Sequence, residues 1–111
     1  MKFRYPFLVL YFALAVQTGL AQKTYVPDNN FEQALIDLNY DDTLDDSVLT
    51  ANISGVTSLD LEAKEISDLT GIEGFTALTS MNCSRNDLTS LNVGANTALT
   101  YLDLSSNDLT S

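Results

Sequence analysis

The carboxylates of this sequence are most concentrated in residues 40–47, which contain four aspartates: Asp41, Asp42, Asp45 and Asp46. Carboxylate oxygens are calcium ligands, so we compare this segment with an EF-hand loop that begins at Asp41. Thr43 stands at the third position instead of Asp or Asn, Asp46 at the sixth instead of Gly, and Asn52 at the twelfth instead of Glu. We therefore predict a solvated acidic loop and no metal, with a non-standard calcium site as the alternative.

Histidine is absent from the sequence. A Ser–His or Cys–His nucleophile pair is therefore impossible within this chain. We predict that the chain is not an enzyme and that it binds no cofactor. Carboxylates are the remaining candidates for acid–base chemistry, and their use depends on the elements that position them.

Apolar residues recur at a fixed spacing through the second half of the chain. Three copies of the pattern L-x-x-L-x-L-x-x-N-x-L begin at Val56, Leu78 and Leu99, and Asn86 and Asn107 occupy its asparagine position. This pattern at this period is the signature of a leucine-rich repeat. We predict an α/β leucine-rich repeat solenoid with short parallel β-strands on the concave face and an irregular or 3₁₀ convex side. The repeats comprise residues 56–77, 78–98 and 99–111, of which the last is incomplete.

Cys83 is the single cysteine, so it has no partner for an intrachain disulfide. A lone cysteine in an exported protein is a candidate reactive thiol. However, Cys83 stands where the other two repeats have Leu61 and Leu104, and a free cysteine behaves as a small buried hydrophobe. We therefore predict that Cys83 lies in the core.

Residues between the inward-pointing apolar positions should face outward from the concave sheet, because side chains alternate along a strand. Stacked repeats would align them in three columns, with Arg85 beside the third: Ser58, Ser80 and Tyr101; Asp60, Asn82 and Asp103; Glu62, Ser84 and Ser105. We predict that these residues bind a protein partner, since repeat proteins present concave surfaces to partners. Tyr101 is the best single anchor, because aromatic residues are enriched at binding hot spots.

Asp60 and Asp103 are the only two carboxylates in one column. They would lie two strands apart, or about 10 Å. This distance is beyond the carboxylate separations of glycosidases, and the face would be open to water. The pair therefore adds no support for catalysis.

An N-terminal cap is predicted for residues 22–55. Phe31, Ala34, Leu35 and Leu38 have the spacing of one helix face, which predicts a helix over about residues 30–38. Asn29 and Glu32, three residues apart, have the spacing of a capping box. The apolar face of this helix would cover the edge of the first repeat, and the acidic loop at 40–47 would follow it.

Residues 1–21 have the three parts of a signal peptide: a basic start, an apolar run at 7–16, and small residues at Gly19 and Ala21. A membrane anchor is the competing interpretation, but it needs about 20 apolar residues. After cleavage, three basic residues would remain against all 15 acidic ones, a net charge of −12. This charge argues against nucleic acid and anionic membranes as partners, and we predict no membrane insertion after cleavage.

Residues 25–111 resemble the secreted leucine-rich repeat proteins of Bacteroidetes, and their concave pattern is internalin-like. The resemblance rests on residues 25–38, the acidic loop, residues 66–73, and the starts of the first and third repeats at Val56 and Leu99. It implies a long protein that is secreted or exposed at the bacterial cell surface, often with a C-terminal sorting domain. It implies no catalytic motif.

The third repeat ends at Ser111 before its convex segment. Solenoids need terminal caps and about three repeats, so we predict that the chain is an N-terminal fragment of a longer protein. Its expected function is an extracellular or cell-surface interaction module for adhesion or recognition. The alternatives are a non-catalytic targeting or spacer region of a larger secreted enzyme, and a purely structural surface repeat.

Overall fold

A computed structural model of the chain describes residues 21–110. The predicted signal peptide lies outside these residues, except for Ala21, which has no regular secondary structure. Within residues 21–110, every helix is too short or too polar to cross a membrane.

The N-terminal part begins with a two-stranded antiparallel sheet. Strand β1 (Lys23–Tyr25) pairs with β2 (Ser47–Leu49), and Thr24 and Val48, which face each other in this register, are both buried. Helix α1 (Asn29–Asp37) connects the two strands, and the short helix α2 (Thr50–Ile53) follows β2. Residues 47–53, which lead into the first repeat, are therefore a strand and a helical turn that belong to the N-terminal part.

Asp28, one residue before the expected capping box, is the residue that caps α1. Its Oδ1 accepts hydrogen bonds from the N–H groups of Asn30 and Phe31, which satisfies two of the free donors at a helix N-terminus. Its Oδ2 accepts from the N–H groups of Ser67 and Asp68, each at 3.0 Å. One carboxylate thus joins the helix to the first repeat, and the predicted Asn29–Glu32 capping box is wrong because Glu32 bonds elsewhere.

The apolar face of α1 packs against the convex side of the first repeat. Phe31, Ala34 and Leu35 are buried, and the ring of Phe31 stacks on that of Phe75 with centroids 6.4 Å apart. Leu38, expected on the same face, is 40% exposed. The helix ends at Asp37, so Leu38 has left the helical path that would carry it into the core.

The repeats form a parallel sheet of three strands in the order β3 (Ser58–Asp60), β4 (Ser80–Asn82) and β5 (Tyr101–Asp103). The central residues Leu59, Met81 and Leu102 are in register and point into the core, where the first two are fully covered. On the convex side the first repeat has a 3₁₀ helix at Ile72–Gly74. Cys83 is buried in the core, as predicted.

Each strand is followed by a turn that contains a left-handed residue. Ala63, Arg85 and Ser106 occupy this position in the three repeats, with φ values of 55°, 62° and 58°. This conformation costs a non-glycine residue free energy, so the turn needs compensating bonds. Asn86 and Asn107, which follow Arg85 and Ser106, supply them.

The side chain of Asn86 is buried and makes five hydrogen bonds. Its Oδ1 accepts from the N–H groups of Lys64 and Ile66, in the turn of the preceding repeat. Its Nδ2 donates to three carbonyl oxygens: Leu61, Cys83 and Ser84. Asn107 binds Leu88 N–H and Cys83 O in the same manner, so each asparagine fastens its own turn to the previous one.

A second ladder runs along the start of the strands. The hydroxyl of Thr79 donates to Thr57 O, and that of Thr100 donates to Thr79 O. These bonds, like those of the asparagines, link neighbouring repeats through side chains. They supplement strands that are each only three residues long.

We predict that Asn86→Ala lowers the free energy of unfolding of the full chain by about 3 kcal/mol, because it leaves buried backbone groups in two turns without partners. Chemical denaturation followed by circular dichroism measures the loss. Asn92→Ala is the matched control: its Oδ1 accepts one exposed bond from Gly94 N–H, and its removal should change stability by less than about 0.5 kcal/mol. Equal losses in the two variants would contradict the role given to Asn86.

Candidate functional site

The concave face of the sheet carries two of the three predicted columns in register. Ser58, Ser80 and Tyr101 are aligned across β3, β4 and β5. The same pairing aligns Asp60, Asn82 and Asp103. Tyr101 is 56% exposed, which leaves most of its ring free for a contact.

The second column has a structural task that the sequence analysis missed. The Oδ1 atoms of Asp60 and Asp103 accept from the backbone N–H two residues later, at 3.1 and 3.0 Å, and Asn82 does the same to Ser84 N–H. These are Asx turns that end each strand. The signal available in the sequence was the recurrence of Asp or Asn at this one position of all three repeats.

The Asx turn of the third repeat also stabilises a negative charge on the concave face. Hydrogen bonds from the hydroxyl and the N–H of Ser105 lower the pKa of Asp103 below its ordinary value, because they stabilise the ionised form. Asp103 is therefore a fixed anion. Together with Asp60 and Glu62 it gives this face three carboxylates.

Ser84 is the one predicted contact residue that the structure removes from the surface. It is only 5% exposed, since its hydroxyl turns back to donate to Asn82 Oδ1 at 2.7 Å. Ser105, its counterpart in the third repeat, makes the same bond to Asp103 and remains exposed. The expectation of an outward-facing Ser84 is therefore wrong.

Arg85 lies beside the third column, where it pairs with Glu62. Its Nη1 is 3.7 Å from Glu62 Oε2, and both side chains are well exposed. Such a pair contributes little stability, so the guanidinium can exchange Glu62 for another anion. Among residues 21–110, the contact between Arg85 and Glu62 is the one ion pair on the concave face.

A separate cluster of carboxylates joins α1 to the acidic loop. Oxygen atoms of Glu32, Asp41 and Asp45 lie within 4.8 Å of one another. Glu32 is fully buried, and its two oxygens accept from the N–H groups of Asp45 and Asp46. Glu32 was missed by the sequence analysis, because its partners are 13 and 14 residues away in the chain.

The environment of this cluster favours the protonated form of Glu32. Its pKa is raised to about 7, chiefly by burial and also by the side chains of Asp41 and Asp45, against the two backbone hydrogen bonds that lower it. Asn52, the twelfth position of the EF-hand comparison, donates from Nδ2 to Tyr40 O at 3.0 Å.

The convex side has a cavity of about 410 Å³ between the first two repeats. It is bordered by the acidic residues Asp68 and Glu73. Asp68 Oδ1 accepts from the N–H and the hydroxyl of Thr70, and Glu73 Oε1 accepts from Gly71 N–H. Both carboxylates thus stabilise local turns.

We predict that the stability conferred by Glu32 depends on pH. Its folded pKa of about 7 lies above the ordinary 4.5, so the folded chain retains a proton that the unfolded chain releases. This contribution is complete below pH 4.5 and is lost as the pH rises through 7. The melting temperature of wild type, relative to that of Glu32→Gln, should therefore fall between about pH 5 and pH 8.

Asp42→Asn is the matched control for this measurement. Asp42 is exposed and lies in the same loop, and the variant should follow the wild-type melting temperature across the same pH range. Parallel curves of melting temperature against pH for wild type and Glu32→Gln would show that the buried carboxyl does not titrate between about pH 5 and pH 8.

Comparison with known proteins finds similarity to internalins. No family model matches the chain. Over 76 residues, or 66% of the chain, it is 39% identical to internalin J of Listeria monocytogenes serotype 4b (strain F2365), and it spans 8% of the length of that protein.

Two solved structures extend the similarity. The functional domain of internalin J from L. monocytogenes is 35% identical with a TM-score of 0.69, and the match covers 82% of this chain and 21% of that one. Internalin C2 from L. monocytogenes strain 4b F2365 is 25% identical with a TM-score of 0.71, over 82% of this chain and 42% of that one. These similarities support an internalin-like leucine-rich repeat protein with a solenoid fold.

Proposed function

We propose that this chain is an extracellular or cell-surface module that binds a protein partner through the concave face of β3, β4 and β5. The observation that carries the proposal is the exposed face itself, on which the first two columns, including Tyr101, stand in register. Within the described residues, no element covers this face. Hot-spot residues of protein interfaces are enriched in tyrosine and arginine, and Tyr101 and Arg85 both lie here.

The similarity to internalins supports a surface location and a role in protein interaction. We infer that the signal peptide at residues 1–21 directs export, and that the chain functions outside the cytoplasm. In this proposal the part at residues 22–55 is the N-terminal cap of the solenoid. Its contacts with the first repeat, through Asp28 and the Phe31–Phe75 stack, are what a cap requires.

The rigidity of the concave face supports specific recognition of a partner. Asp60, Asn82 and Asp103 are each held by a bond to the backbone, so their side chains lose little conformational freedom on binding. Preorganised contacts of this kind raise affinity, because less ordering entropy is lost. The alternative is a non-catalytic targeting or spacer region of a larger secreted enzyme, in which the concave face would have no partner.

Substitution of Tyr101 tests the concave face directly. We expect Tyr101→Ala in the full chain to weaken binding to a purified extracellular protein by about tenfold, because it removes the exposed aromatic contact that β5 contributes to the face. Surface plasmon resonance against a panel of purified extracellular proteins, chosen to span acidic and basic isoelectric points, identifies the partner and measures the loss.

Ala95→Ser is the control, since Ala95 lies at the convex cavity and should leave the affinity unchanged. Circular dichroism verifies that both variants are folded. Binding that is insensitive to Tyr101→Ala would exclude the concave face, and absence of binding across the panel would favour the spacer.

A further inference from the structure

We propose that the concave face recognises an extended polypeptide segment rich in lysine or arginine, with the carboxylates of Asp60 and Asp103 as paired anionic contacts and Tyr101 as the adjoining aromatic surface. This inference rests on the proposed function and specifies the chemistry of the partner. It follows from the charge, the spacing and the fixed geometry of the face.

The charge of the face is unbalanced. Asp60, Glu62 and Asp103 contribute three carboxylates, and Arg85 contributes one guanidinium that Glu62 already pairs with. The whole chain has a formal net charge of −10, so the surroundings do not compensate for the face. Complementary charge steers association and selects partners, which points to a cationic segment.

The two aspartates keep a free oxygen each. Oδ1 of Asp60 and Oδ1 of Asp103 are engaged by the Asx turns, whereas neither Oδ2 has a hydrogen-bond partner among residues 21–110. The turn fixes the carboxylate, and its second oxygen can accept from an ammonium or guanidinium group. A bound cation would therefore meet an acceptor that is already in place.

The spacing of the two aspartates fits an extended ligand. They occupy the outer strands β3 and β5 at the same register, a separation of about 10 Å for two steps between strands. A polyproline II segment advances about 9 Å per three-residue turn. Cations three residues apart in such a segment would lie on one side and reach both carboxylates.

Tyr101 gives this segment a surface to lie against. It is exposed and lies on β5, two residues before Asp103. Aromatic side chains bind polyproline II segments and attract cations over their faces. The same residue therefore contributes to both parts of the recognition.

A synthetic peptide of four Lys-Pro-Pro units tests the inference with the full chain. We expect isothermal titration calorimetry to show binding that weakens about tenfold in the double variant Asp60→Asn/Asp103→Asn. The fold should survive these substitutions, because Asn82 makes the same Asx turn in the second repeat. A peptide of four Gln-Pro-Pro units should not bind.

The double variant Asp42→Asn/Asp46→Asn is the matched control, because it removes the same charge from two exposed residues of the acidic loop. Its affinity for the lysine peptide should stay within twofold of wild type. Equal weakening by both double variants would overturn the inference, since it would reveal attraction to the net charge alone. Absence of binding to the lysine peptide would overturn it as well.

The two levels of the proposal can be distinguished by the panel of extracellular proteins. A partner whose binding depends on Tyr101 but not on Asp60 and Asp103 would retain the proposed function and refute the cationic segment. A panel in which every concave-face variant binds like wild type would refute both.

Discussion

The buried side-chain amide of Asn86 is the interaction on which the repeat architecture depends. A three-residue strand forms few ladder bonds, and the left-handed turn that follows it leaves backbone groups pointing inward. Asn86 satisfies such groups in its own turn and in the preceding turn at once. A buried backbone group without a partner is costly. The backbone groups of the two turns obtain their partners from this side chain only when one repeat stacks on the next.

Polar side chains that bond the backbone also stabilise the concave face. Asp60, Asn82 and Asp103 end their strands by binding the backbone, and Thr57, Thr79 and Thr100 link the strand starts. The side chains that stabilise the sheet are thereby also the ones that present fixed oxygen atoms to solvent. In the proposed function, the second column therefore combines rigidity of the sheet with recognition of the partner.

The N-terminal part is bound to the repeats by carboxylates as well as by apolar contacts. Asp28 divides its two oxygens between α1 and the turn of the first repeat. Glu32 extends from the buried side of the same helix to the acidic loop. The loop is thus held by a buried acid on the helix, which explains why its shape does not depend on the sequence pattern of a calcium loop.

The repeat, its register and the buried apolar positions of its strands follow from the sequence alone. A period of 21–22 residues with a shared asparagine admits few arrangements, since only stacking buries the apolar side of such short strands. The alignment of Ser58, Ser80 and Tyr101 followed from that register alone. The helix at residues 29–37 could also be predicted, because the spacing of Phe31, Ala34 and Leu35 is a local property of the sequence.

The partners of the polar side chains, in contrast, are known only from the folded structure. The contacts of Asp28 with the first repeat and of Glu32 with the acidic loop join atoms that are distant in the chain. The choice of Asp28 as the helix cap and the burial of Ser84 depend on which residue of a turn bonds the backbone. A carboxylate or hydroxyl can bond its own backbone, a neighbouring repeat or solvent with similar free energy. Only the folded chain selects among these partners, because burial removes water as the competing one.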